Sequence, residues 1–188
     1  MFLSIYALVV YEEAVLFNLR KSEMAECHIS ISKLLDFYNE KQEYNHEFLS
    51  IIILFRFYYT NEGLAEVSTI LRQRIPLDSL KDPSIKFALR VCKLASEGNY
   101  WMVKKLRSDD VVNRDLLTLI DLVCESCKNI FISNIIRAYP IVTVSWIRTL
   151  LHTDESPDSL KGLLESFSHD KSVDLSENGD KFVLKKKK

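Results

Sequence analysis

Apolar residues recur along most of this chain at spacings of three and four, the period of a helix with one buried face. Tyr6, Val10, Ala14 and Phe17 make a first stripe, and Met24, Cys27, Ile31, Leu34 and Tyr38 a second. Arg20, Lys21 and Ser22 form the turn between them, with Ser22 the expected N-cap of the second helix. Phe48, Ile51, Ile52, Phe55 and Tyr59 define the next helix, which breaks at Asn61-Glu62-Gly63 before Leu64, Val67, Ile70 and Leu71. Asp82-Pro83 supplies an N-cap and a first-turn proline to a helix carrying Ile85, Ala88, Leu89, Cys92 and Ala95, which ends at Gly98-Asn99. Tyr100, Trp101, Val103 and Leu106 mark a short return helix, and Leu116, Ile120, Val123, Cys127, Ile130 and Phe131 a long one. Helix pairs of this size predict a stack of antiparallel helical repeats, a solenoid, over residues 1–125.

The period changes after Thr143. Trp146, Ile147, Leu150 and Leu151 predict one short helix, entered past Pro140. Ser156-Pro157 then opens a second, with Leu160, Leu163, Leu164 and Phe167 as its stripe. Alternation follows: Val173 and Leu175 precede Asn178-Gly179, and Phe182 and Leu184 come after it, which predicts a hairpin with a two-residue turn. Two helices and a hairpin are the order of a winged helix. The fold expected is therefore all-α, with a winged helix and a small β-hairpin wing over residues 126–188. Such a unit binds nucleic acid or protein far more often than it catalyses.

Composition narrows the chemistry. Forty-seven per cent of residues are hydrophobic and only 4 are glycine and 4 proline, which suits long helices and removes glycine-rich nucleotide loops. His28, His46, His152 and His169 are scattered over separate elements, and the acid pair Asp109-Asp110 sits at a helix boundary, where it complements the helix dipole. No catalytic motif emerges, and a non-enzymatic protein needing no cofactor or small-molecule substrate is expected. Cys27, Cys92, Cys124 and Cys127 all fall on apolar helical stripes, as reduced core thiols of an intracellular protein. The CxxC spacing of the last two lacks a second pair of ligands for a metal. Met1–Val10 has no basic leader and runs into Glu12-Glu13, so it reads as a buried first helix, and the apolar run Phe48–Tyr59 is short and contains Arg56, as a core helix rather than a membrane span.

The net charge is −1, but lysines gather at the C-terminal end. Lys161 on the second short helix, Lys171 and Lys181 flanking the hairpin, and the tail Lys185, Lys186, Lys187 and Lys188 are the candidate phosphate contacts for RNA. Asp158, Glu165, Asp170, Asp174, Glu177 and Asp180 surround them and weaken the field, which argues against sequence-specific DNA reading. Tyr100, Trp101, Lys104, Lys105 and Arg107 combine aromatic anchors with cations and are the candidate partner surface, although the helical spacing of Trp101 also suits the core.

Several segments resemble the GANP family, which includes the Sac-three and Thp-three scaffolds. Val10-Tyr11-Glu12 is similar to its VYE helix, and Leu34-Leu35-Asp36-Phe37-Tyr38 to the segment one helix later. Glu47-Phe48-Leu49-Ser50 with Ile53-Leu54 resembles its EF helix, Ala88-Leu89 followed by Gly98-Asn99-Tyr100 its AL…GNY segment, and Ala138-Tyr139 its approach to the winged helix. The chain departs from the family where Arg20-Lys21-Ser22 replaces a glycine turn, and the family's upstream MCP-x-x-E segment has no counterpart. The resemblance is that of a reduced or truncated member. It implies a PCI-like nuclear scaffold of mRNA export or transcription-coupled processing, partnered by a second PCI-type subunit and a small acidic peptide shared with the proteasome lid, with RNA a further ligand and no role at a membrane. The alternatives are a PCI subunit of the proteasome lid or signalosome and a winged-helix DNA-binding regulator.

Overall fold

A computed structural model describes residues 2–60, 63–107, 113–151, 153–168 and 171–186, with 2–5 and 186 described by their backbone alone. The described residues are mostly helical and carry one small antiparallel sheet. In chain order the elements are α1 (Phe2–Arg20), α2 (Met24–Lys41), α3 (His46–Tyr59), α4 (Leu64–Gln73), a 3₁₀ turn (Leu77–Lys81), α5 (Pro83–Ser96), α6 (Tyr100–Leu106) and α7 (Arg114–Ala138). There follow β1 (Ile141–Thr143), α8 (Val144–Leu151), α9 (Pro157–Phe167), β2 (Lys171–Leu175) and β3 (Lys181–Lys186).

Local chemistry explains most of the boundaries. The side chains of Asn45, Asp82, Asn99, Asn113 and Ser156 each accept a bond from a backbone N–H in the first turn of the helix that follows, at 2.8–3.3 Å. Two helices end in the same left-handed closure. At the end of α5 the amides of Gly98 and Asn99 donate to Ala95 and Leu94, with Gly98 at φ 69°. At the end of α1 the amides of Ser22 and Glu23 donate to Leu19 and Asn18, and there the left-handed residue is Ser22, at φ 58°. Ser22 therefore closes α1 instead of capping α2, whose N-cap position is held by Glu23 without a side-chain bond. Its positive φ explains why a glycine suits that turn.

The core centres on α3, which packs on α5, α7 and α4, and Leu49 through Arg56 are buried without interruption. α1 packs chiefly on α2. Val15 and Leu19 turn inward, Cys27 Sγ donates to the Val15 carbonyl at 3.7 Å, and the Tyr38 hydroxyl donates to Glu12 at 2.6 Å. The expected stripe of α1 lies on the other side: Tyr6, Val10 and Phe17 are 74%, 49% and 58% exposed. α1 is apolar around its circumference, so periodicity alone does not choose its inner face. The second stripe holds, with Cys27, Ile31, Leu34 and Tyr38 buried.

α7 runs unbroken past the expected division at 125/126. Beyond it, β1, α8, α9 and the hairpin close onto its C-terminal half, and Val142, Ile147, Leu160, Leu164, Val173, Phe182 and Leu184 join one core with Ile132, Ile135 and Ile136. The sheet order is β1-β3-β2, all antiparallel, with Val142 opposite Phe182 and Val173 opposite Leu184. β1 is a strand that pattern reading misses, since three residues carry no alternation to read. The hairpin turn differs from expectation too. Of Asn178-Gly179 only Gly179 has positive φ, at 66°, and Ser176 still pairs with Lys181, its amide donating to that carbonyl at 2.9 Å. The loop is longer than two residues because Ser176 stabilises it: its hydroxyl donates to Asp180 at 2.8 Å and accepts from the Lys181 amide at 3.2 Å.

Candidate functional site

The strand register sorts the C-terminal lysines. Along β2, Lys171, Val173 and Leu175 share the core-facing side, while Lys181 and Lys185 of β3 lie with Ile141 and Thr143 on the outer side of the sheet. Lys171 consequently reaches beneath the end of α7, where its ammonium donates to the carbonyls of Ile136 at 2.5 Å and Arg137 at 3.4 Å. A cation at a helix C-terminus satisfies carbonyls that have no helical partner and complements the dipole. Lys171 is thereby a structural tie rather than a free phosphate contact. Lys181 stands 3.9 Å from Asp180, Lys185 3.1 Å from Asp174 and Lys161 3.8 Å from Glu165. Each is solvent-exposed enough to exchange such a partner for a phosphate, but the neighbouring carboxylates lower the potential that draws one in. Lys186 lies opposite Lys171 in the register, and Lys187 and Lys188 lie outside the described residues, as do His152, His169, Asp109 and Asp110.

The aromatic and basic set of α6 divides in two. Tyr100 is buried, stacks on Phe131 with centroids 5.9 Å apart, and has its hydroxyl pKa pushed up to about 12 by that burial. Lys104 lies 5.7 Å from the Tyr100 ring centre and donates to the Leu151 carbonyl at 3.4 Å, linking α6 to the end of α8. Arg107 grips Asp121 of α7 through two parallel bonds, which raise its own pKa. Those three side chains hold α6 in place. Trp101, 40% exposed, with Lys105 over its ring at 5.4 Å, is left on the surface.

A second exposed patch borders β1. Tyr139 and Trp146 meet edge to face with centroids 5.4 Å apart, and Ile141 beside them is 54% exposed. β1 pairs with β3 on one side, and its other side is an edge of the sheet. The helical spacing of Trp146 with Ile147, Leu150 and Leu151 predicts a core position, whereas the side chain is exposed and meets Tyr139.

The four cysteines are buried. Burial pushes the Cys27, Cys92 and Cys127 thiols up to about 12 and that of Cys124 up to about 11, so they are protonated at neutral pH. Among the described residues no three His, Cys, Asp or Glu side chains gather as metal ligands, and no helix is long and apolar enough to cross a membrane. His46 is 3.0 Å from Asp82, the N-cap of α5, and His28 packs against Arg56 and Tyr59 inside the helical layer. No protein-family model matches the chain, and no curated protein matches it either.

Proposed function

We propose that this protein is a non-enzymatic scaffold subunit of a nuclear complex for mRNA export or transcription-coupled mRNA processing, built as PCI-like helical repeats ending in a winged helix. The order β1, α8, α9, β2, β3, with β1 joined to β3 in an antiparallel sheet, is the observation that carries this reading. It is the order a winged helix requires, and here it is seated on the end of a long helix that continues from the helical layers. The segments that resemble the GANP family then supply the process.

Protein contact is the primary activity in this reading. The exposed Tyr139, Ile141 and Trp146 beside an open strand edge offer a surface to a second PCI-type subunit, and Trp101 with Lys105 offers an aromatic and cationic surface to a small acidic peptide. RNA binding is secondary and backbone-directed, through Lys181, Lys185 and the tail, because Lys181 and Lys185 each have an acidic neighbour. The same balance of charge disfavours a duplex-DNA regulator.

The test is recovery of the tagged chain from its native cells at moderate salt, with its companions identified by mass spectrometry. A second helical-repeat subunit with the acidic peptide and mRNA export or splicing factors is the expected outcome. Proteasome-lid or signalosome subunits in their place would move the protein to that other class of scaffold.

A further inference from the structure

Arg56 is the one charged residue in the buried run of α3. Only 9% of it is exposed, and its guanidinium lines a cleft of about 210 Å³ between α2, α3 and α4, together with Ser32, Glu66, Thr69, Gln73 and Arg74. Nη2 donates to Ser32 Oγ at 2.7 Å, and Nη1 lies 3.3 and 3.4 Å from the two ring nitrogens of His28. Nε is buried and has no partner among the described residues. The carboxylate paired with Arg56, that of Glu66, stands 3.6 Å away, well beyond the ~2.9 Å of a charge-assisted bond. A buried guanidinium without a close anion is costly, so this one is under-compensated. Arg74 brings a second guanidinium to the same cleft, held by Asp36 at 2.8 Å. Burial lowers the pKa of Arg56, Glu66 opposes that shift, and the charge of Arg74 adds to it, so the two cations feel one another.

We propose that the cleft between α2, α3 and α4 binds a carboxylate, carried by a small organic acid or by an Asp or Glu side chain of a partner, with Arg56 as its principal contact. A carboxylate presents two coplanar oxygens that match the guanidinium fork. Gln73 adds a neutral amide group, while the hydroxyls of Ser32 and Thr69 already donate to the carbonyls of His28 and Ala65 at 3.0 Å. Asp36 and Glu66 on the walls repel a dianion such as phosphate more strongly than a monoanion. Glu66, in the first turn of α4 with about a quarter of its side chain exposed, is the internal competitor that an incoming carboxylate displaces.

The test follows the Nε–H resonance of Arg56 by NMR in the full chain, with acetate, N-acetyl-glutamate amide, a short poly-glutamate peptide and inorganic phosphate added at constant ionic strength. Acetate is expected to shift that resonance. Glu66→Gln is expected to tighten acetate binding about tenfold, by removing a like charge, and the half-exposed Arg74→Gln to weaken it about threefold. In Arg56→Met, where the backbone amides of Ser32, Glu66, Thr69 and Gln73 replace the lost Nε–H as reporters, acetate is expected to cause no shift in a chain whose circular dichroism is unchanged. Because that variant risks the fold, the first two carry the decision. Poly-glutamate binding tighter than acetate, and lost when its residues are glutamine, assigns the carboxylate to a partner segment, whereas equal affinities assign it to a free acid. Phosphate shifting the resonance as strongly as acetate, no shift with any anion, or no gain from Glu66→Gln would each overturn the proposal.

Discussion

α1 and α3 are both apolar on all sides, yet one is enclosed by neighbours and the other is half bare. α3 meets α4, α5 and α7, and eight consecutive residues from Leu49 to Arg56 are buried. α1 has α2 along one side, with lesser contact to α7, and turns Tyr6, Val10 and Phe17 outward. The same sequence property thus accompanies opposite environments, and what separates them is the number of helices stacked against each. An all-round apolar helix at the edge of a stack marks a place where further protein surface would be buried to advantage.

Mutations sharpen that contrast. The largest loss is expected from Ile52→Ala in α3, about 2–5 kcal/mol by urea denaturation, because a fully buried side chain leaves both lost transfer energy and a cavity. Gly98→Ala comes next, at about 1–3 kcal/mol: the residue keeps a positive φ, and the added methyl meets Ile130 and Asn134 at 3.2 Å. Asp115→Asn tests how the outer layer is attached. Its buried carboxylate receives Nε and Nη2 of Arg20, both at 2.8 Å, across the gap between α1 and α7. Amides of α1 in that variant are expected to exchange with solvent faster while those of α3 keep their protection. Ser22→Gly is expected to stabilise the protein by roughly 0.5–1 kcal/mol, read as a rise in melting temperature, since it relieves the left-handed serine that closes α1. Phe17→Ala should change stability by no more than about 0.5 kcal/mol. A loss for Phe17→Ala comparable to that of Ile52→Ala would mean that the outer face of α1 is covered in solution, by a second copy or otherwise, and the contrast would fail.

Helix existence was legible because period and capping agree: Asp82-Pro83 and Ser156-Pro157 open α5 and α9 as their chemistry requires. The inner face of α1 was not legible, because choosing it takes knowledge of what packs there. Asn178-Gly179 marked a turn correctly but not its length, which depends on the Ser176 and Asp180 side chains beside it. The candidate surfaces were legible only as composition. Lys171 and Lys181 look alike in sequence, and their separation into a helix cap and a surface cation follows from strand parity and from carbonyls more than thirty residues upstream. Tyr100 and Trp101 are neighbours in the chain, and a rotation of about 100° along α6 sends one into the core and leaves the other at the surface. Arg56 was read only as an obstacle to a membrane span, because nothing local discloses that His28, Ser32 and Glu66 converge on it.

The 25 residues of α7 form a rod roughly 37 Å long whose first turn holds Arg20 of α1 and whose last carbonyls hold Lys171 of β2. Residue 125 lies near its middle, where helical hydrogen bonds and buried Val123, Cys124 and Cys127 leave a protease no extended backbone to engage. Limited digestion should therefore trim loops without releasing two stable halves, and a cut at that point would part Phe131, on the C-terminal piece, from the Tyr100 ring it stacks on, on the N-terminal one.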